Sequence, residues 1–203
     1  MTEEVTIRPC TEADLQELIS IGKQTFIETF AHLNDPKYFD PYVTKAFTEA
    51  QILAELKNPD SQFSFLYDRG TLSGYLKLNF NEAQTDIKDP ESMEIERIYL
   101  LSPFQGLGLG RALFAHSLAT ARQHNIKYIW LGVWEQNTKA IAFYEAQGFY
   151  KFANHPFKLG DDQQTDYLMR LDLSWKCQKM DLSEYGLSNN TVWKPTLLNW
   201  LKP

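Results

Sequence analysis

Cysteine is scarce: Cys10 and Cys177 are the two in the chain. A pair so far apart makes neither a disulfide framework nor a metal-ligand set. The four histidines, His32, His116, His124 and His155, fall at no ligand spacing, so no metal site is expected. His116 and His124 share one helical segment, where solvation is the expectation. No apolar run approaches the roughly 20 residues needed to span a bilayer. The opening Met-Thr-Glu-Glu-Val has neither the basic nor the apolar region of a secretory signal. A cytoplasmic location without membrane association is therefore expected. A basic excess is missing as well, since the formal net charge is −6. Nucleic-acid binding draws on a basic field to displace counterions, so no nucleic-acid partner is expected. An acidic chain suits a small cationic substrate instead. The composition, 43% hydrophobic and 23% charged over 203 residues, is that of one globular domain with or without an appendage.

What the chain does have is Gln105-Gly106-Leu107-Gly108-Leu109-Gly110-Arg111, between a strand-like run over 93–100 and a helix-like run over 111–123. Glycines let a backbone approach a ligand closely and adopt positive φ. At a helix start, exposed amides and the positive end of the helix dipole form an anion cradle. A P-loop requires Gly-Lys-Ser/Thr, but Arg111 and Ala112 follow Gly110. A dinucleotide fingerprint fails too, since its third glycine position falls on Arg111 or Leu113. The pattern present is Gln-x-x-Gly-x-Gly on Gln105, Gly108 and Gly110.

Downstream, the buried-strand pattern Tyr128-Ile129-Trp130-Leu131-Gly132-Val133 leads into Asn137-Thr138-Lys139-Ala140-Ile141-Ala142-Phe143-Tyr144-Glu145-Ala146-Gln147-Gly148-Phe149. Gly148 has the position of a residue ending a short helix. These two motifs, in this order, resemble the GCN5-related N-acetyltransferase (GNAT) family. The resemblance spans about residues 4–172. It implies an α/β (α+β) GNAT acyl-CoA N-acyltransferase fold, a mixed, mostly antiparallel sheet flanked by helices.

The remaining pattern fits that layout. Val5-Thr6-Ile7-Arg8 reads as a strand, and Thr11 caps an amphipathic helix reaching about Phe30. Asn34-Asp35-Pro36 breaks it, and Tyr38-Phe39-Asp40-Pro41-Tyr42 is expected to be a loop. Thr48 opens a second helix to Leu56. Strands over 62–67 and 72–80 form a hairpin at Asp68-Arg69-Gly70. Two closing strands, over 149–157 and 165–173, are joined by a Gly-Asp-Asp turn. The expected GNAT domain is 1–173. The extension 174–203 carries Trp175, Tyr185, Trp193 and Trp200, too aromatic for a typical disordered tail. It is expected to dock on this subunit or a neighbouring one, with a homodimer as the possible assembly.

Strings outside the coenzyme motifs resemble one branch, the PaiA-type spermidine/spermine N-acetyltransferases. They include Thr25-Phe26-Ile27-Glu28-Thr29-Phe30, Ser61-Gln62-Phe63, Glu94-Ile95-Glu96-Arg97-Ile98-Tyr99, and the runs 129–135 and 160–166. The resemblance implies acetyl-CoA (coenzyme A) as co-substrate and a small-molecule amine, a polyamine, as acceptor. It implies that Gln105, Gly106, Leu107, Gly108, Leu109, Gly110 and Arg111 hold the pyrophosphate. Ile98, Tyr99 and Leu100 would pair with the pantetheine arm, and Asn137 and Ala140 would position it from the other side. Tyr144 would protonate the departing thiolate. Glu96, with Glu94 second, would accept the amine proton, and the two alternate along one strand face. Phe26, Glu28, Phe30, Tyr38 and Trp134 would bind the acceptor through aromatic and carboxylate contacts. Acetylation of a protein N-terminus, a lysine or another small amine stays open, as does a non-catalytic acyl-coenzyme A-binding module.

Overall fold

The computed structural model describes residues 5–159 and 162–173. The Gly160-Asp161 part of the last turn and the extension 174–203 lie outside the described residues. Seven strands form one sheet in the order β1-β2-β3-β4-β5-β7-β6. They are β1 (Val5–Pro9), β2 (Ser61–Asp68), β3 (Thr71–Asn79), β4 (Ser92–Leu100), β5 (Tyr128–Trp134), β6 (Tyr150–Leu159) and β7 (Asp162–Asp172). The β4–β5 pair is parallel and every other pair is antiparallel. Helices α1 (Leu15–Phe30), α2 (Pro36–Ala46) and α3 (Glu49–Lys57) precede the hairpin. Helices α4 (Leu109–Gln123) and α5 (Thr138–Ala146) follow β4 and β5. The expected mixed, mostly antiparallel sheet flanked by helices is the fold found.

Strand alternation divides the core into two layers. Leu76, Leu78, Met93, Ile95, Ile129 and Leu131 pack with Leu113 and Phe114 of α4 on one face. Phe63, Phe65 and Tyr75 pack with Leu18, Ile21, Phe39, Phe47 and Ile52 from the first three helices on the other.

Two expectations fail. The segment 38–42 is helical, inside α2, rather than a loop. Asp35 caps that helix by accepting from the Lys37 amide (2.9 Å), and Pro36 occupies its first turn, where a missing N–H costs nothing. Phe39 and Val43, four residues apart, are 3% and 4% exposed. That shared buried stripe holds the helix despite Pro41 in its interior. His116 is the second failure, since it is buried on α4. Of the two, only His124 is exposed, with its ring 4.5 Å from that of Phe80.

Burial disfavours the imidazolium and lowers the His116 pKa from 6.5 to about 4. The unfolded chain protonates this residue near its ordinary value, whereas the folded one resists until lower pH. The stability it contributes is therefore complete above about pH 6.5 and is lost as pH falls toward 4. The difference amounts to about 3 kcal/mol. Urea unfolding measured from pH 7 to 4.5 is expected to show a shallower loss of stability in His116→Gln than in the parent. Parallel curves for the two proteins would disprove the assignment.

Candidate active site

The sheet opens where β4 and β5 separate. Their parallel pairing spans only Ser92↔Tyr128, Met93↔Ile129 and Glu94↔Trp130, whereas β3 follows β4 to Leu100. From Ile95 onward the β4 edge that faces β5 has no strand beside it. The Leu101 amide donates to the Ser73 carbonyl (2.9 Å), which sets the phase. Tyr99 and Arg97 then turn their backbone polar groups toward β3, and Ile98 and Leu100 turn theirs into the gap. Such an edge can pair with an extended, amide-bearing ligand arm as a strand would.

A bulge changes which side chains share the acceptor face. Lys77 opposes Arg97 and Leu78 opposes Ile95, so Glu96 is the extra residue. Uninterrupted alternation would put Arg97 and Tyr99 opposite Glu96. Instead Glu94, Glu96, Arg97 and Tyr99 all face α1–α3, while Ile95, Ile98 and Leu100 join the α4 core.

At the mouth of the gap lies the glycine loop. Gly106 and Gly108 have φ of 79° and 83°, in the left-handed region that disfavours a side chain. Gly108 caps α4, and its carbonyl accepts from the amides of Arg111 (3.0 Å) and Ala112 (3.4 Å). Leu109 is buried and anchors the turn, whereas Leu107 is 60% exposed at its tip. Neither side chain lines the cleft, so any part these two take in anion binding is through the backbone. Gln105 ties the loop down, donating to the Leu100 carbonyl (3.2 Å) and accepting from Lys139 Nζ (3.0 Å).

Helix α5 forms the opposite wall with Asn137, Ala140 and Tyr144. Asn137 is also its N-cap, accepting from the Ala140 amide at 3.2 Å. Tyr144 is buried, and burial pushes its phenol pKa upward, keeping it protonated at neutral pH. Its ring lies between those of Phe143 and Phe149, at 5.4 and 5.7 Å, and no described residue hydrogen-bonds its hydroxyl.

One cleft of about 1350 Å³ runs from this loop to the side chains expected to meet the acceptor. Phe26, Glu28, Phe30, Trp134, Glu94 and Glu96 all line it. Phe30 bridges Tyr99 and Trp134, with ring centres 6.3 and 6.2 Å away. Glu28 is a brace as well as a wall, accepting from the Ser102 amide (2.8 Å), Ser102 Oγ (2.9 Å) and Gln24 (2.8 Å). Desolvation raises its pKa, but these bonds outweigh it and hold the carboxyl below its usual value.

Tyr38 is not in the cleft wall. Because its segment is helical, Tyr42, one turn later, takes the lining position. Glu94 is 3% exposed and accepts from Asn79 Nδ2 (3.0 Å), the Thr85 amide (2.9 Å) and Thr85 Oγ1 (2.6 Å). Desolvation dominates and raises its pKa. Glu96 is ion-paired to both Lys77 and Arg97, and these two cations also hold Glu55 of α3, at 2.9 and 3.0 Å. Sequence reasoning missed Lys77, Arg97 and Glu55, and also Asp86, His155 and Asp166 at the far end of the cleft. No local spacing joins these residues, which come from six separate segments.

A peptide-edge slot, a glycine loop at a helix N-terminus beside it and a buried phenol in the facing wall suit an acyl-coenzyme A N-acetyltransferase. Residues 27–149 match the model of the acetyltransferase (GNAT) family, and the chain belongs to it. An uncharacterized N-acetyltransferase from Lactobacillus delbrueckii subsp. lactis is 42% identical over 166 residues, 82% of this chain and 96% of that protein. The spermidine N(1)-acetyltransferase of Thermoplasma acidophilum is 22% identical, covering 81% of this chain and 95% of that protein. The crystal structure of PaiA N-acetyltransferase from T. acidophilum in complex with coenzyme A superposes with a TM-score of 0.68 at 21% identity. It covers 84% of this chain and 99% of that one.

The cradle generates a direct test. A side chain at Gly108 is forced into the left-handed region at a cost of about 1–2 kcal/mol. Gly108→Ala is expected to weaken coenzyme A binding about tenfold by calorimetry, with a smaller change in kcat. Unchanged affinity would remove Gly108 from the coenzyme site.

Proposed function

We propose that the protein transfers the acetyl group of acetyl-CoA to a primary amine of a polyamine such as spermidine or spermine, by direct transfer with both substrates bound. One observation carries this reading: the cleft is continuous from the unpaired β4 edge to a wall of aromatic rings and carboxylates. The former suits an amide-bearing acyl donor, the latter a cationic chain with apolar methylenes. The similarity to a spermidine N(1)-acetyltransferase supports the choice of acceptor.

The backbone of Ile98 and Leu100 holds the donor's pantetheine arm, and the amides of the 105–111 loop take its pyrophosphate. The Ile98 N–H polarises the thioester carbonyl, as oxyanion donors do. The amine must shed a proton before it attacks, at a cost of roughly 4–5 kcal/mol at neutral pH for a lysine-like amine. Glu96 is the group assigned to receive that proton. Lys77 and Arg97 each occupy one of its carboxylate oxygens, so transfer through a water fits better than direct contact. Glu94 has a supporting role, since two of its hydrogen bonds fasten Thr85 and the third fastens Asn79. The C–N bond forms as the C–S bond breaks, and Tyr144 gives its phenolic proton to the departing sulfur. Its raised pKa keeps the phenol protonated at neutral pH, so the proton is present when the sulfur departs.

Tyr144→Phe is expected to lower kcat by about a hundredfold or more while coenzyme A binding stays within a factor of about two. An equal kcat would eliminate the proton-donor role. An acceptor screen with radiolabelled acetyl-CoA should label spermidine or spermine. Turnover of a peptide without either polyamine would replace the acceptor named above.

A further inference from the structure

Beyond Tyr144 and Glu96 the cleft continues to three side chains set side by side across the sheet. Trp134 on β5 stands directly opposite Asp166 on β7, and Asp166 directly opposite His155 on β6. Residues in direct register share a face of the sheet, and all three line the cleft. Asp86, from the segment between β3 and β4, closes the row with Oδ1 2.8 Å from His155 Nδ1. The two hydrogen bonds from Thr85 to Glu94 hold that segment in place.

Asp166 differs from the other carboxylates of the cleft. Glu28, Glu94, Glu96 and Asp86 each have a donor or a cation at bonding distance. No described residue hydrogen-bonds or ion-pairs with Asp166, and burial pushes its carboxyl pKa upward. The imidazole of the row, His155, is bonded to Asp86; its influence on Asp166 favours the carboxylate, while burial, Asp86 and Glu135 oppose it. Beside Asp166, the indole N–H of Trp134, a side chain 8% exposed, also has no partner among the described residues. Asp166 is an unmet acceptor inside a substrate cleft and marks a place that a bound N–H donor completes. The Trp134 N–H is itself a donor, so that residue contributes its ring rather than a hydrogen bond. Half-buried carboxylate character selects a positively charged donor.

We propose that Asp166, between Trp134 and the His155–Asp86 pair, binds a second amino group of the acceptor while the first reacts between Glu96 and Tyr144. This rests on the polyamine reading and deepens it, making Asp166 the specificity-determining residue that separates diamines and polyamines from monoamines. The rings of Tyr99, Phe30 and Trp134 lie along the route and cover the methylenes between the two nitrogens. Asp166 takes no part in the bond-making step.

The test compares kcat/KM for butylamine, 1,4-diaminobutane and spermidine in the parent, Asp166→Asn and Asp166→Glu, with coenzyme A binding as the check that each variant is folded. The parent is expected to prefer the diamine to the monoamine by about tenfold or more, the worth of a charge-assisted hydrogen bond. Asp166→Asn should erase most of that ratio, chiefly through KM, and Asp166→Glu should keep more of it than the amide does. A ratio in Asp166→Asn equal to the parent's overturns the assignment, as does a glutamate variant no better than the asparagine one. A parent indifferent to the second amine overturns it while leaving N-acetyltransferase activity intact. A parent that acetylates none of the three removes the polyamine reading and this subsite together, before any variant is made.

Discussion

The active site depends on a parallel strand pair that stops after three residues. Were β4 and β5 paired to their ends, Ile98 and Leu100 would spend their backbone groups on β5 and no slot would exist. The closed end of the wedge is clamped by side chains. Gln84, 2% exposed, accepts from Ser92 Oγ (2.7 Å) and Trp130 Nε1 (2.6 Å), joining the two strands through one carbonyl. The Tyr128 hydroxyl donates to Asp89 (2.8 Å) in the same region. These bonds are buried or partly so, where a missing partner costs about 1–3 kcal/mol, so the strands are fixed where they meet and free where they part.

The bulge at Glu96 is the second constraint and follows from the same strand. It turns Glu96 and Arg97 to one face and so permits the four-membered network of Lys77, Glu55, Arg97 and Glu96. Charges this far from water carry a desolvation cost that mutual pairing offsets only when every partner is present. Here two cations meet two carboxylates, and Asn79 donates to Glu96 as well as to Glu94. The network thereby binds α3 to β3 and β4 and fixes the position of Glu96 at the same time. A residue that began as the favoured free base on its strand is also structural.

The half of the cleft assigned to the donor was legible in the sequence because its shape is set by backbone conformation. Positive φ at Gly106 and Gly108, the cap at Asn137 and the left-handed Gly148 (φ 93°) each require a residue type at a fixed local offset. Strand and helix order was legible for the same reason, through short-range periodicity and turn chemistry. Helix α2 was not, because Pro36 and Pro41 read as breakers when taken singly. Only the burial of Phe39 and Val43 against α1 and the sheet shows that packing overrides them. His116 misled in the opposite direction: a polar residue in an amphipathic segment gives no sign that its side of the helix is buried.

Phe26, Glu28, Phe30 and Trp134 of the expected acceptor wall do line the cleft, but its far end, Asp86, His155 and Asp166, escaped the sequence for a different reason. The walls of the acceptor half come from α1, the segment before β4, β4 itself, β5, β6 and β7, and what unites them is register across the sheet. His155 and Asp166 meet because a bulge between Lys151 and Ala153 shifts the β6–β7 pairing by one residue. Without that shift a different residue of β6 would oppose Asp166, since a one-residue slip exchanges the two faces of a strand. Bulges therefore act on both sides of the cleft, setting Glu96 through β4 and bringing His155 beside Asp166 through β6. On the proposed reading, acceptor choice is set by strand register more than by any contiguous motif, so two chains with the same glycine loop can bind different amines.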